Sequence, residues 1–123
     1  MSERSAEVMI NGQVYELILT TKATKEIAKK YGGLQNLGDK MLKSENFELA
    51  LSEIVWLLTL LINQSILIHN FEHPEDKKAL LEEEMVELFT TPADFTMYKE
   101  AITVAMYKGM KREIKSEETG KNQ

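Results

Sequence analysis

The amino-acid sequence predicts a mostly α fold: a small helical domain around a long apolar central helix, with an N-terminal β-hairpin. Three observations predict it. Residues 46–70 contain neither glycine nor proline, and Ile54 to Ile62 is apolar on every side. Asn11-Gly12 stands between two apolar runs, and both residues tolerate the positive φ that a two-residue hairpin turn needs. Thr20-Thr21 and Thr91-Pro92 each open a stretch with helical spacing.

The hairpin is expected over residues 7–19, with Val8-Met9-Ile10 before the turn and Val14, Leu17 and Leu19 after it. A lone hairpin is marginal in water, so it must lie on helices or pair with another chain. Residues 1–6 read as a flexible N-terminus. A helix over about 21–31 follows, capped by a Thr hydroxyl and stopped by Gly32-Gly33. Ala23, Ile27 and Tyr31 form its apolar stripe, and Lys22, Lys25, Lys29 and Lys30 point elsewhere. A short helix over 34–43 has Leu34, Leu37, Met41 and Leu42 as its apolar face.

The central helix is expected over 46–70, roughly 37 Å at 1.5 Å per residue. Asn63-Gln64-Ser65 interrupts its apolar run. The uninterrupted apolar core falls short of the roughly 20 residues of a membrane span, so the helix reads as a buried core helix with surface to spare. Residues 69–78 read as a loop marked by Pro74. A helix over about 80–89 carries Leu81, Met85, Leu88 and Phe89 beside Glu82, Glu83, Glu84 and Glu87. The last helix, 92–114, opens with Thr91 as cap, Pro92 at its first position and Asp94 as the capping-box acid. Its stripe is Phe95, Tyr98, Ile102, Ala105 and Met106, which leaves Met97 off it. Residues 116–123 are polar and read as a disordered tail. Residues 7–115 form the single domain.

The chain has 123 residues, 43% of them hydrophobic, which suffices for one core. Its net charge is −5, a balance that argues against general binding to nucleic-acid phosphates. Eight of its acids lie in residues 72–94 against Lys77 and Lys78, so an acidic surface follows the apolar helix. The chain has no cysteine, which excludes disulfides, thiolate nucleophiles and Cys-based zinc sites. Residues 1–5 lack the apolar run of a signal peptide.

No catalytic or cofactor site is expected. His69 and His73 are spaced i, i+4, but Pro74 follows at once and the HExxH order is absent. The glutamates of 82–87 read as a solvated face, and no phosphate-binding glycine loop is present. The lysine helix gives an alternative reading, a small DNA-associated regulatory protein, which the negative net charge disfavours.

Ile10-Asn11-Gly12-Gln13-Val14-Tyr15-Glu16-Leu17 is followed by Thr20-Thr21-Lys22-Ala23-Thr24-Lys25-Glu26-Ile27 and Lys30-Tyr31-Gly32-Gly33-Leu34. The very apolar helix comes next, then a last helix begun by Thr91-Pro92 and ending basic. In this order of elements, over about residues 8–115, the chain resembles the tail assembly chaperones of tailed bacteriophages and Gram-positive prophages. The resemblance implies a non-enzymatic assembly factor of the bacterial host cytoplasm. It implies a tape-measure protein as partner, kept soluble before the tail tube forms around it, with tail tube subunits recruited to it. It supplies no catalytic residues and no cofactor. The apolar surplus places a groove or an oligomer interface at Trp56, Leu57, Leu60, Leu61 and Met97. A hairpin edge pairing between chains would make homo-oligomers. Nucleic acid and membrane are not expected partners.

Overall fold

The computed structural model describes residues 5–33 and 47–122, with side chains described over 5–33 and 50–110. The fold is mostly α with an N-terminal antiparallel hairpin. Strand β1 (Ser5–Ile10) pairs with β2 (Gln13–Ile18), Ile10 opposite Gln13 and Ser5 opposite Ile18. Asn11 and Gly12 both have positive φ, 52° and 76°, so the turn twists with its strands. Ala6, Val8, Ile10 and Leu17 carry the hairpin into the core. Glu7, Met9, Val14 and Glu16 share the opposite face. Ser5 and Ala6, expected in a flexible N-terminus, are buried members of β1. Ala6 pairs with Leu17 across the ladder, and the Lys108 ammonium donates to Ser5 O, which orders them.

Helix α1 (Thr21–Tyr31) has the expected bounds. The Thr20 hydroxyl accepts the Ala23 N–H at 2.9 Å, satisfying one of the orphan donors of the first turn. Gly32, at φ 82°, ends the helix by donating its N–H to Ala28 O at 2.8 Å. The helix expected over 34–43 lies outside the described residues.

Helix α2 (Phe47–Glu72) is the centre of the molecule. It packs against β2, α1 and the last helix. It passes Asn70 and ends where His73 donates to His69 O, just before Pro74, whose ring disfavours helix in the residue preceding it. Ala50–Glu72 is apolar and long enough to cross a membrane, with a mean hydropathy of 1.7. That is longer than the apolar count alone implied, because the polar residues near its end do not break the helix. Half of it is buried within this chain, as in a core helix.

Helix α3 (Glu83–Leu88) is shorter than the expected 80–89. Leu81 is excluded because its backbone is already used: Asn63 Oδ1 accepts its N–H at 2.7 Å and Asn63 Nδ2 donates to its carbonyl at 2.9 Å. A 3₁₀ turn (Pro92–Asp94) leads into α4 (Phe95–Asn122). Asp94 accepts the Thr91 N–H at 2.9 Å, the return bond of the capping box. The backbone of α4 stays helical to Asn122, through residues expected as a disordered tail. The stop expected at Ile114 came from the end of the apolar stripe; the Lys, Arg and Glu that follow are good helix formers on their own. Along α4, Gly109 allows close approach to the hairpin: a Cβ there would lie 2.8 Å from Leu19 Cβ.

The core joins all these elements. Leu57, Leu58, Leu61 and Ile62 of α2 meet Ile27 of α1, Val86 of α3 and Tyr98 and Ile102 of α4, all fully or nearly fully buried. Each such side chain contributes about 1.5–3 kcal/mol of transfer free energy.

Candidate functional site

The partner surface expected on α2 is corrected in part by its packing. Leu57 and Leu61 are fully buried, since the hairpin and the flanking helices cover that side of the helix. Trp56 and Leu60 are half-buried against the same core. Met97, off the stripe of α4, is 52% exposed.

Trp56 is also covered from the solvent side. Tyr31 meets it edge-on at 5.9 Å, and the Lys30 ammonium sits 4.6 Å from the indole centroid. Lys30 is 3.9 Å from the carboxylate of Glu53, itself buried. Burial and the Glu53 carboxylate push the Tyr31 hydroxyl well above the usual tyrosine range. Burial, with Asp94 nearby, raises Tyr98 in the same direction.

The open apolar surface lies further along α2. Leu67, Ile68 and Phe71 line a shallow groove of about 250 Å³ with Thr20, Lys22, Gln64 and Glu72. Phe71 is 89% exposed, the most exposed large apolar side chain described. Its signal in the sequence was its place four residues after Leu67 and three after Ile68, on one helical face. A helix end at Asn70, as the sequence suggests, leaves Phe71 outside that face; the helix runs on to Glu72. A second exposed apolar group, Leu88 and Phe89, stands among the exposed Glu82, Glu83, Glu84 and Glu87.

The polar residues of α2 hold the neighbouring segments. Asn63 binds both backbone groups of Leu81, and Asn70 binds both of Lys78 at 2.8 and 2.9 Å. Buried Gln64 accepts the Thr20 hydroxyl proton and donates to Leu60 O at 3.1 Å. Asn63 and Asn70 are seven residues apart, so they project from one face of α2 and clamp residues 78–81 at both ends.

His69 and His73 stack with ring centroids 4.8 Å apart. His69 Nε2 lies 2.8 Å from the Asp76 carbonyl, and His73 Nδ1 lies 3.6 Å from a Glu75 carboxylate oxygen. These contacts close the turn after α2. Among the described residues, no three of the His, Cys, Asp and Glu side chains gather in a way that would hold a metal. Lys22, Lys25, Lys29 and Lys30 are exposed on α1. This arrangement leaves apolar side chains of α2 open to solvent, while Asn63, Gln64 and Asn70 hold neighbouring segments. No protein family, no characterised protein and no solved structure matches the chain.

Proposed function

We propose that the chain is a phage tail assembly chaperone, a non-enzymatic factor that holds apolar helical segments of a tape-measure protein and aids tail-tube assembly. The observation that carries this reading is the uneven covering of α2. Its first half forms the core, and its second half offers Leu67, Ile68 and Phe71 in a groove. An amphipathic helix laid on such a face buries its own apolar stripe there, the helix-in-groove mode of recognition. The order of elements that resembles the tail assembly chaperones supports the same reading.

Co-expression tests it. A tape-measure fragment that is insoluble alone is expected in the soluble fraction with this chain, and less of it with the Phe71→Ser variant. Unchanged solubility with a folded chaperone overturns the proposal. Salt-sensitive retardation of DNA by the lysine helix would instead favour a DNA-associated regulator.

A further inference from the structure

The two edges of the hairpin are treated differently. On the β1 side, α4 packs against the strand and the Lys108 ammonium donates to Ser5 O at 2.9 Å. A lysine at a strand edge discourages further pairing. Against β2, α2 packs much as α4 does against β1, but among the described residues no side chain bonds the outer backbone groups of Val14 and Glu16. A groove of about 570 Å³ touches residues 13–16, four in a row. Side chains of a strand alternate between faces, so a groove touched by consecutive residues runs along the edge of β2 rather than over one face.

The hydrogen-bond pattern identifies the groups at this edge. In a two-residue hairpin the pair flanking the turn, here Ile10 and Gln13, exchanges hydrogen bonds, and pairs alternate from there. Val14 and Glu16 fall in the non-bonded pairs, opposite Met9 and Glu7. Their N–H and C=O groups therefore point outward into the groove. Among the described residues, no hydrogen bond reaches these four groups.

The far wall has a matching character. Residues 78–81 form it, clamped at Lys78 by Asn70 and at Leu81 by Asn63. Between the clamps the backbone groups of Ala79 and Leu80 take no partner among the described residues. The floor is Ile66 with Ser65 and His69. Unpaired backbone donors and acceptors thus stand on both walls of a slot with an apolar residue at its base.

Charge identifies the occupant. Glu7 and Glu16 face each other across the hairpin, a like-charge pair that costs stability. A residue hydrogen-bonded opposite Glu16 on a third strand lies on the same face, about 5.5 Å away by Cα. A cation there offsets the repulsion. We propose that the β2 edge takes an extended peptide of a partner protein as a third strand, with alternate residues apolar and a lysine or arginine opposite Glu16. This mode adds main-chain hydrogen bonds for affinity and side-chain pockets for selectivity. The slot is separate from the Phe71 groove, and the proposal does not rest on the chaperone reading.

Amide hydrogen exchange by NMR on the full chain tests it, with a blocked hexapeptide of alternating valine and lysine as probe. The peptide is expected to slow exchange at Val14 and Glu16 by about tenfold or more. A version N-methylated on the amides that face β2 is expected to lose the effect. Val14→Pro removes one outward N–H and leaves the β1–β2 ladder intact, since that N–H faces away from β1. It is expected to abolish binding while the far-ultraviolet circular dichroism stays unchanged. If that variant fails to fold, the methylated peptide still decides. Glu16→Lys is expected to weaken the lysine peptide several-fold and to favour one alternating valine and glutamate. No binding at millimolar peptide, or equal binding of the methylated peptide, overturns the proposal. So does perturbation confined to Leu67 and Phe71. Protection of Val14 and Glu16 that grows with protein concentration, without peptide, overturns it in favour of a second copy of the chain.

Discussion

Taken on either side of Asn63, the two halves of α2 have opposite fates. Ile54, Val55, Leu57, Leu58, Leu61 and Ile62 are buried under the hairpin and the other helices. Ile66, Leu67 and Ile68 are only half-buried, and Phe71 stands almost free. A small domain has too little chain to surround 26 helical residues. Apolar composition alone therefore does not mark the core. The core is where other elements close over the helix, and the remainder is surface available to another molecule.

The comparison breaks most sharply at Leu61. Leu61→Ala leaves a cavity in the covered half and is expected to cost about 2–5 kcal/mol in urea unfolding. Leu67→Ala, in the open half, is expected to cost under about 1 kcal/mol. Equal losses would mean that the halves are equally packed. Gly109→Ala tests the cover itself: its Cβ would press on Leu19 and push α4 from the hairpin. About 1–3 kcal/mol is expected, the range of overpacked sites, even though alanine is the better helix former.

The covered half also gives an alkaline signature. Tyr31 and Tyr98 are raised above their ordinary value of 10.0, so the folded chain keeps protons that the unfolded chain releases. Their contribution is fully present below pH 10 and falls as pH rises above it. Tyr31→Phe is expected to flatten the loss, read from unfolding midpoints at pH 9 and 11. Smaller again is the boundary between the halves. Thr20→Ala removes the α1 cap and the partner of buried Gln64. About 1 kcal/mol is expected in the same unfolding measurement.

Much of the fold was legible because local rules agreed with it. Asn11-Gly12, the Thr20 cap and Gly32 each need only their neighbours to take their conformations. The burial of Leu57 and Leu61 was not legible in the same way. On an all-round apolar helix nothing in the periodicity says which face other elements cover. In the sequence Asn63 and Gln64 only interrupt an apolar run, because polar residues inside a helix gain their meaning from partners eighteen and forty-four residues away. The spacing of Leu81 favours a helix, and the Asn63 side chain overrides that preference by taking its backbone bonds. The Phe71 groove exists because α2 runs past Asn70 to Glu72, which no local stop signal in the sequence indicates.

Phe71 gives the smallest stability effect and the clearest functional one. At 89% exposure it contributes almost no burial in the isolated chain. Phe71→Ser is therefore expected to change unfolding free energy by less than about 0.5 kcal/mol. A partner helix that covers the ring would bury an aromatic side chain, and aromatics carry a large share of interface free energy. Serine there should cost the complex about 2 kcal/mol or more, which is over tenfold in affinity. Isothermal titration with a tape-measure fragment held soluble by a fusion partner reads that difference directly. Leu67→Ser beside it should weaken the complex too, and the two losses should not add, since both side chains serve one groove. Unchanged affinity in both variants would leave the second half of α2 without a role in binding. It would also break the contrast between a half that folds the chain and a half that serves another.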